Sequence, residues 1–177
     1  LKADHDKMKK MLADGETTTE RGEKTRTELF ATIKGELMVH ERIEEEIFYP
    51  ELKAHPKARD IVLEGYEEHH VVDEIMGELE ALDVTDETWG AKFKVMKENI
   101  EHHIEEEEGE MFKQARSVFS ADEVESLGAR MNELKCPIWV HPSRGANHSD
   151  YITEKKSLYE IWWTFGWPME TAAFANA

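Results

Sequence analysis

Apolar residues recur every three or four positions through residues 1–135, which is the spacing of an amphipathic α-helix. Charged residues, mostly Glu and Lys, fill the positions between them. The pattern predicts four long helices, over residues 1–15, about 20–52, about 56–82 and about 86–118. Long helices joined by short loops favour an all-α, up-down four-helix bundle.

Glycine, proline and a capping pattern set the expected helix ends. Gly15 can end the first helix, and Pro56 can occupy the first turn of the third. Ser120 and Glu123 have the spacing of a capping box, so we predict a short fifth helix that ends at about Leu134.

Histidines and glutamates interrupt the apolar stripes at positions that face the expected core. A buried carboxylate without a partner is very costly, so buried carboxylates and imidazoles usually pair or coordinate a metal. Each of the four long helices supplies at least one such residue, which predicts a metal site inside the bundle. The residues are His5, His40, Glu44, His69, His103 and Glu107.

The second and fourth helices carry the same unit, His-x-x-x-Glu, as His40 with Glu44 and His103 with Glu107. Residues four apart share one helix face. Two facing units can supply bridging carboxylates and terminal imidazoles for two metal ions about 3.5–4 Å apart. Mixed imidazole and carboxylate ligands suit iron or manganese better than copper or calcium, and zinc also fits.

Two of these histidines are next to a second histidine in the sequence, so either member of each pair could be the one that faces the core. His103 falls in phase with apolar residues, whereas His102 falls among polar ones. His69 is likewise in phase with the apolar stripe, whereas His70 leads to acidic residues, so we choose His69 and His103. Asp73, four residues after His69, could add an oxygen donor. The remaining glutamates nearby are expected to form a solvated face: Glu45, Glu46, Glu105, Glu106 and Glu108.

Four segments resemble the motifs of hemerythrin-like (HHE) domains, in the same order and with similar spacing. The resemblance covers about residues 1–118. It implies two non-haem iron ions, bridged by carboxylates and by an oxo or hydroxo group. The segments that carry it are Asp4–Asp6, His40–Pro50, Glu68–Val72 and His103–Phe112. The implied ligands are His5 and His40 for one iron, His69 and His103 for the other, and Glu44 and Glu107 as bridges.

Further roles follow from the resemblance. Some members use the Glu after the second-helix His, here Glu41, as a terminal ligand. The oxygen-carrier branch has a second His in its third helix, where this chain has Asp73. That difference disfavours simple carriage and favours sensing, oxidant reactivity or iron handling. Tyr66, about one turn before His69, is either a residue at the edge of the core or a hydrogen-bond donor to a bound oxygen species.

We therefore expect a protein that binds, senses or reacts with dioxygen or a related small oxidant, such as nitric oxide or peroxide. One alternative is a di-iron enzyme that turns over peroxide or repairs damaged iron centres. Another is an acidic helical interaction module with incidental metal binding.

Charge and cysteine content narrow the partners and the compartment. A net charge of -17 opposes binding to nucleic acid and to anionic membranes. No apolar run approaches the roughly 18 residues of a membrane span, and the opening residues lack a signal-peptide pattern. The single cysteine, Cys136, precludes a disulfide framework within the chain, so we expect a cytoplasmic protein.

Residues 136–177 have a different composition from residues 1–135, with four of the five tryptophans, so we place a domain boundary near Lys135. We expect an irregular tail with a strand at 137–140 and a helix at 159–165. The tail resembles a short stretch of the amidohydrolase family that includes aromatic acid decarboxylases, in which His141 would be a metal ligand. A (β/α)₈ barrel needs about 200 residues, so we do not carry the activity over.

Two roles are open for the Trp-rich tail. Exposed apolar surface of this size is rare, so the tail can pack its tryptophans on the bundle or on another chain, which includes a homo-oligomer. The alternative is that the tail is a fragment of a fusion with a metal-dependent amidohydrolase.

Overall fold

The computed structural model describes residues 1–135, which form one unit. The helices are α1 (Lys2–Glu16), α2 (Glu23–Ile43), α3 (Tyr49–Lys53), α4 (Arg59–Ala81), α5 (Trp89–Glu106), α6 (Phe112–Val118) and α7 (Ala121–Lys135). A short 3-10 turn, Glu20–Gly22, precedes α2. The predicted all-α fold is confirmed for this part of the chain. The strand, the helix and the tryptophan packing predicted for residues 136–177 lie outside it.

Two π-helical segments join helices that would otherwise be separate. Glu44–Phe48 links α2 to α3, and Glu107–Met111 links α5 to α6, so each set forms one long helical rod. Helix α1 packs against α2 and α5, and α4 packs against α5 and α3. The four long helices of the predicted bundle are therefore α1, the rod of α2 and α3, α4, and the rod of α5 and α6. All four are called rods below.

Helix α7 is the predicted fifth helix, and it lies against α2 and the first π-helical segment. Its start is a capping box: the Glu123 carboxylate accepts hydrogen bonds from the Ser120 amide and hydroxyl, both at 2.7 Å. Leu127 is its buried contact with the bundle, and Arg130 pairs with Glu51 at 2.7 Å.

Two predicted helix ends need correction. Gly15 does not end α1 but is buried within it. A Cβ atom at this position would lie 2.4 Å from Cζ of Phe93. Glycine is therefore needed there for close packing. Pro56 does not begin the next helix; it lies in a turn, and α4 starts at Arg59.

The core consists of two apolar clusters. The first, called the Trp89 cluster, includes Phe30, Leu37, Phe93 and Ile100, and the second, called the Tyr49 cluster, includes Phe48, Val62 and Met111. Along α2 and its extension, His40 and Glu44 fall between Leu37 of the first cluster and Phe48 of the second. The same order holds along α5, so the polar residues form a central layer between two apolar ones. None of the helices within residues 1–135 is long and apolar enough to cross a membrane.

Candidate metal centre

Four imidazoles in the central layer form two close pairs. Nε2 of His5 lies 3.1 Å from Nε2 of His40, and Nε2 of His69 lies 3.2 Å from Nε2 of His103. All four side chains are buried. The pairs are those that the resemblance implies, and their role as metal ligands stays a prediction. His70 and His102 lie on the exposed surface, in agreement with the chosen register.

Two fully buried carboxylates accompany the imidazoles. Oε1 of Glu44 lies 3.0 Å from Nε2 of His40, and Oε2 lies 3.4 Å from Nε2 of His69. Oε2 of Glu107 lies 3.0 Å from Nε2 of His5. Glu44 therefore belongs to both imidazole groups, as a bridging ligand would, whereas Glu107 joins the group of His5 and His40.

The carboxylate oxygens of this layer lack hydrogen-bond partners and are spaced as the ligands of a cation would be. Within the described residues, neither oxygen of Glu44 or of Glu107 has a hydrogen-bond partner, although both side chains are fully buried. Ligand atoms that bind one transition-metal ion at about 2.1 Å lie about 3 Å from one another. The spacing between the imidazole nitrogens and carboxylate oxygens matches this value, so the donor set fits a first-row metal ion.

The π-helical segments begin at the two predicted bridging glutamates. The amide of Tyr49 donates to the carbonyl of Glu44, and the amide of Phe112 donates to the carbonyl of Glu107, each five residues along the chain. Such insertions occur often at functional sites. One extra residue changes the helical phase by about 100°. In the first segment, it buries both Ile47 and Phe48, between which the helical pattern does not decide.

Three of the four imidazoles donate a hydrogen bond from Nδ1, their outer nitrogen, to a carboxylate of a neighbouring helix. Because an ionised carboxylate can only accept, a hydrogen resides on Nδ1, and Nε2 is the nitrogen that faces the central layer. Metal-binding histidines are commonly oriented in this way. The bonds are His5 to Glu108 (2.9 Å), His69 to Glu45 (2.9 Å) and His103 to Glu68 (2.7 Å).

Glu45 is exposed, as expected, and Glu108 is only partly buried, but both have a further role that the predicted solvated face did not include. Each directly follows a predicted bridging glutamate and reaches a histidine on the next rod. The repeat His-x-x-x-Glu-Glu in both rods was the available signal. His40 differs from the others, since its Nδ1 lies 3.8 Å from the Asp4 carboxylate, too far for a hydrogen bond.

The hemerythrin HHE cation binding domain matches residues 1–115 of this chain. The chain belongs to the hemerythrin HHE cation-binding family. A solved HHE domain-containing protein from Mycobacterium kansasii has a similar fold, with a TM-score of 0.63 and 25% sequence identity, over 76% of this chain and 83% of that chain. No curated protein matches the sequence. Members of the family bind metal cations, so metal binding is the activity that membership gives this chain.

This HHE domain encloses a small cavity beside the four histidines. Its volume is about 10 Å³, close to the space that one water molecule needs. Glu41 lines it but lies outside both donor groups. Burial raises the pKa of the Glu41 carboxyl well above its ordinary value. The rest of the wall is apolar and consists of Met8, Leu37, Val72, Ile100 and Ile104.

The tyrosine nearest the centre is not the one that sequence analysis singled out. Tyr66 is partly buried and packs at the edge of the Tyr49 cluster, in agreement with the first of its two predicted roles, and its hydroxyl lies 3.5 Å from the backbone carbonyl of Glu45. Tyr49 is fully buried, its ring stacks on that of His69, and its hydroxyl lies 3.4 Å from Nε2 of His69. A Cβ atom on Gly65 would come within 2.9 Å of this hydroxyl, so glycine makes room for it. The predicted donor Asp73 is exposed and outside the donor groups.

Without a cation, the central layer retains protons. Burial, and then the charge of Glu107, raise the pKa of Glu44 to about 8. Burial opposes protonation of His69, but the carboxylates of Glu44 and Glu45 raise the pKa of this imidazole to about 10. A metal ion would therefore compete with protons for the same atoms.

Proposed function

We propose that this HHE domain holds two iron ions and uses them to bind, sense or react with dioxygen or a related small oxidant. The observation that carries the proposal is the position of Glu44, whose unpartnered carboxylate is shared between the two imidazole pairs. One shared carboxylate between two sets of donors is the arrangement that a pair of metal ions requires.

The ligands would divide between the two ions as the pairs do. His5, His40 and Glu107 would hold one ion, His69 and His103 the other, and Glu44 would bridge. Iron suits this mixture of imidazole and carboxylate, and manganese or zinc can compete for it. A bound iron pair supplies one-electron and two-electron chemistry toward dioxygen, nitric oxide or peroxide.

The residues around the cavity favour a small, weakly polar ligand. Half of the wall is apolar, and the volume is about that of one water molecule, so only a very small ligand fits. Burial favours the protonated form of the Glu41 carboxyl, which can donate a hydrogen bond into the cavity. With four imidazoles in the layer and Asp73 outside it, we propose sensing or oxidant reactivity rather than simple oxygen carriage.

The test is an ultraviolet-visible spectrum of iron-loaded protein, recorded without oxygen and again after air is admitted. We expect a new near-ultraviolet and visible charge-transfer band in the wild type. The band should be absent from Glu44→Gln and present in Glu46→Gln, because Glu46 is exposed and pairs with Arg42 at the surface.

The time course separates the functions. A band that persists and reverses on removal of oxygen supports sensing or binding, whereas steady consumption of oxidant supports turnover. No spectral change in the wild type, with iron bound, would refute the proposal.

A further inference from the structure

A second group of metal-ligating side chains lies on the surface, one residue out of register with the central layer. Glu68 of α4 and His102 and Glu106 of α5 bring one donor atom each to within 4.8 Å of one another. Nε2 of His102 lies 3.4 Å from the Glu106 carboxylate and 3.9 Å from that of Glu68. His102 and Glu106 thus repeat outside the bundle the spacing that His103 and Glu107 have inside it.

These separations fit a single cation. Donors bound at about 2.1 Å in tetrahedral geometry lie roughly 3.4 Å apart. The pair from α5 already has this separation, and Oε1 of Glu68 lies 3.9 Å from the same His102 nitrogen. Imidazole with two carboxylates is a donor set that first-row divalent ions accept, with water as the fourth ligand.

Glu68 is held in place for this role. Its Oε2 accepts the hydrogen bond from Nδ1 of His103 at 2.7 Å. Its other oxygen, Oε1, is the atom that lies near His102. The side chain is only 20% exposed, so less rotational freedom is lost on binding than for a glutamate at the open surface.

The negative charge of the group is not neutralised by lysine or arginine within residues 1–135. Glu68 and Glu106 have only histidines as ion-pair partners there. Other surface glutamates on the same helices are paired with lysine, as Glu78 is with Lys92. A cation that binds here would therefore not compete with a lysine or an arginine of residues 1–135 for these two carboxylates.

We propose that Glu68, His102 and Glu106 form a separate surface site for a divalent transition-metal ion. The site does not depend on the proposed di-iron function. Glu68 also accepts the hydrogen bond of His103, so its carboxylate connects the surface site to the central layer.

The chain offers a matched control on a neighbouring helix turn. His70 and Glu74 have the same four-residue spacing, with 3.5 Å between Nε2 and the carboxylate, and both are exposed. They belong to none of the donor groups within residues 1–135, since no third ligand reaches them. A simple helical His–Glu pair therefore predicts equal zinc binding at both places, whereas the three-residue site predicts binding at His102 alone.

The experiment is a calorimetric Zn²⁺ titration of the full chain, with NMR observation of the histidine ring protons. We expect a weaker equivalent after the interior sites fill, and a shift of the His102 ring resonances in that step. The weaker step should lose at least tenfold in affinity in His102→Ala and in Glu106→Gln and should be unchanged in His70→Ala. These side chains are exposed, and a circular dichroism spectrum checks that each variant is folded.

Absence of the weaker step from the wild type, its survival in His102→Ala, or an equal loss in His70→Ala would overturn the proposal. Failure of the interior centre has a different signature, because the tight equivalents would then be missing while the step that depends on His102 remains.

Discussion

One end of the bundle and its central layer both bury charge, but they treat it differently. At the end, Arg26 is buried and its guanidinium lies 4.6 Å over the ring of Trp89. It donates to the backbone carbonyls of Thr18 and Val84 and to the Thr18 hydroxyl. Each nitrogen of this guanidinium donates to an acceptor of the protein, and the bonds connect the segments at Thr18 and Val84.

In the central layer, the protein does not satisfy the charges that it buries. The carboxylate oxygens of Glu44 and Glu107 have no hydrogen-bond partner within the described residues. A buried charge without a partner is strongly destabilising. The comparison teaches that the protein itself supplies the partners of the buried Arg26 guanidinium, whereas it leaves the buried carboxylates of the centre for a ligand, which we propose is a cation.

The largest effect should follow from removing the shared carboxylate. Glu44→Gln keeps the shape but removes the charge that both imidazole groups use, so we expect metal affinity to fall by about a hundredfold or more. Above pH 8, where the Glu44 carboxyl is ionised, the same change should raise the stability of the metal-free protein, because it removes a buried charge. Competition with a chelator measures the first, and urea unfolding of metal-free protein measures the second. Unchanged metal affinity would contradict the comparison at its centre.

A substitution at the end of the bundle should lower the free energy of unfolding by the same amount with and without bound metal. Arg26→Met retains apolar packing on Trp89 but leaves the carbonyls of Thr18 and Val84 without their donor, which should cost about 3 kcal/mol of unfolding free energy. Urea unfolding with and without metal should give the same loss. Arg42→Met is the control, since Arg42 is exposed and Glu46 is its ion-pair partner within residues 1–135. A loss that depends on metal would show that the two regions are not independent.

The carboxylates behind the histidines should have a smaller effect on the centre. Glu45→Gln weakens the acceptor that orients His69, so we expect metal affinity to fall by roughly 10-fold to 100-fold. Glu46→Gln, one residue away at the surface, should leave it unchanged. Equal affinities in the two variants would remove Glu45 from the site.

The last prediction concerns the pH dependence of stability, which should have opposite signs in the metal-free and metal-loaded protein. In the metal-free protein, folding raises the pKa of Glu44 from 4.5 to about 8 and that of His69 from 6.5 to about 10. Both groups bind more protons when folded, so their stabilising effect is present at low pH and is lost as pH rises, from about 4.5 to 8 for Glu44 and from 6.5 to 10 for His69.

Metal binding displaces these protons, so the metal-loaded protein should gain stability over the same range. Thermal unfolding at pH 5, 6, 7 and 8 measures both slopes. Parallel slopes would show that these protons and the metal do not compete.

Sequence alone predicted the bundle and the inner residues for a physical reason. A polar residue in phase with an apolar stripe must face the core. This rule correctly places His40 and Glu44 in the buried central layer. It also separates His103 from His102, because a shift of one residue rotates the side chain by about 100°.

The same periodicity could not reveal the π-helical segments or what depends on them. No residue type marks the insertion after Glu44, and a regular helix would turn Tyr49 away from the glutamate's face. The hydrogen bonds from His5 to Glu108 and from His69 to Glu45 join different rods. Such pairs depend on how the rods rotate against each other, which spacing along one helix does not encode.

The central claim is that two metal ions complete the charge of the central layer. Anaerobic loading with Fe²⁺, removal of loosely bound metal and elemental analysis of the full chain test it directly. We predict two irons per chain in the wild type and none in the double variant Glu44→Gln/Glu107→Gln. One iron or fewer in the wild type, or two retained in the double variant, would contradict the account.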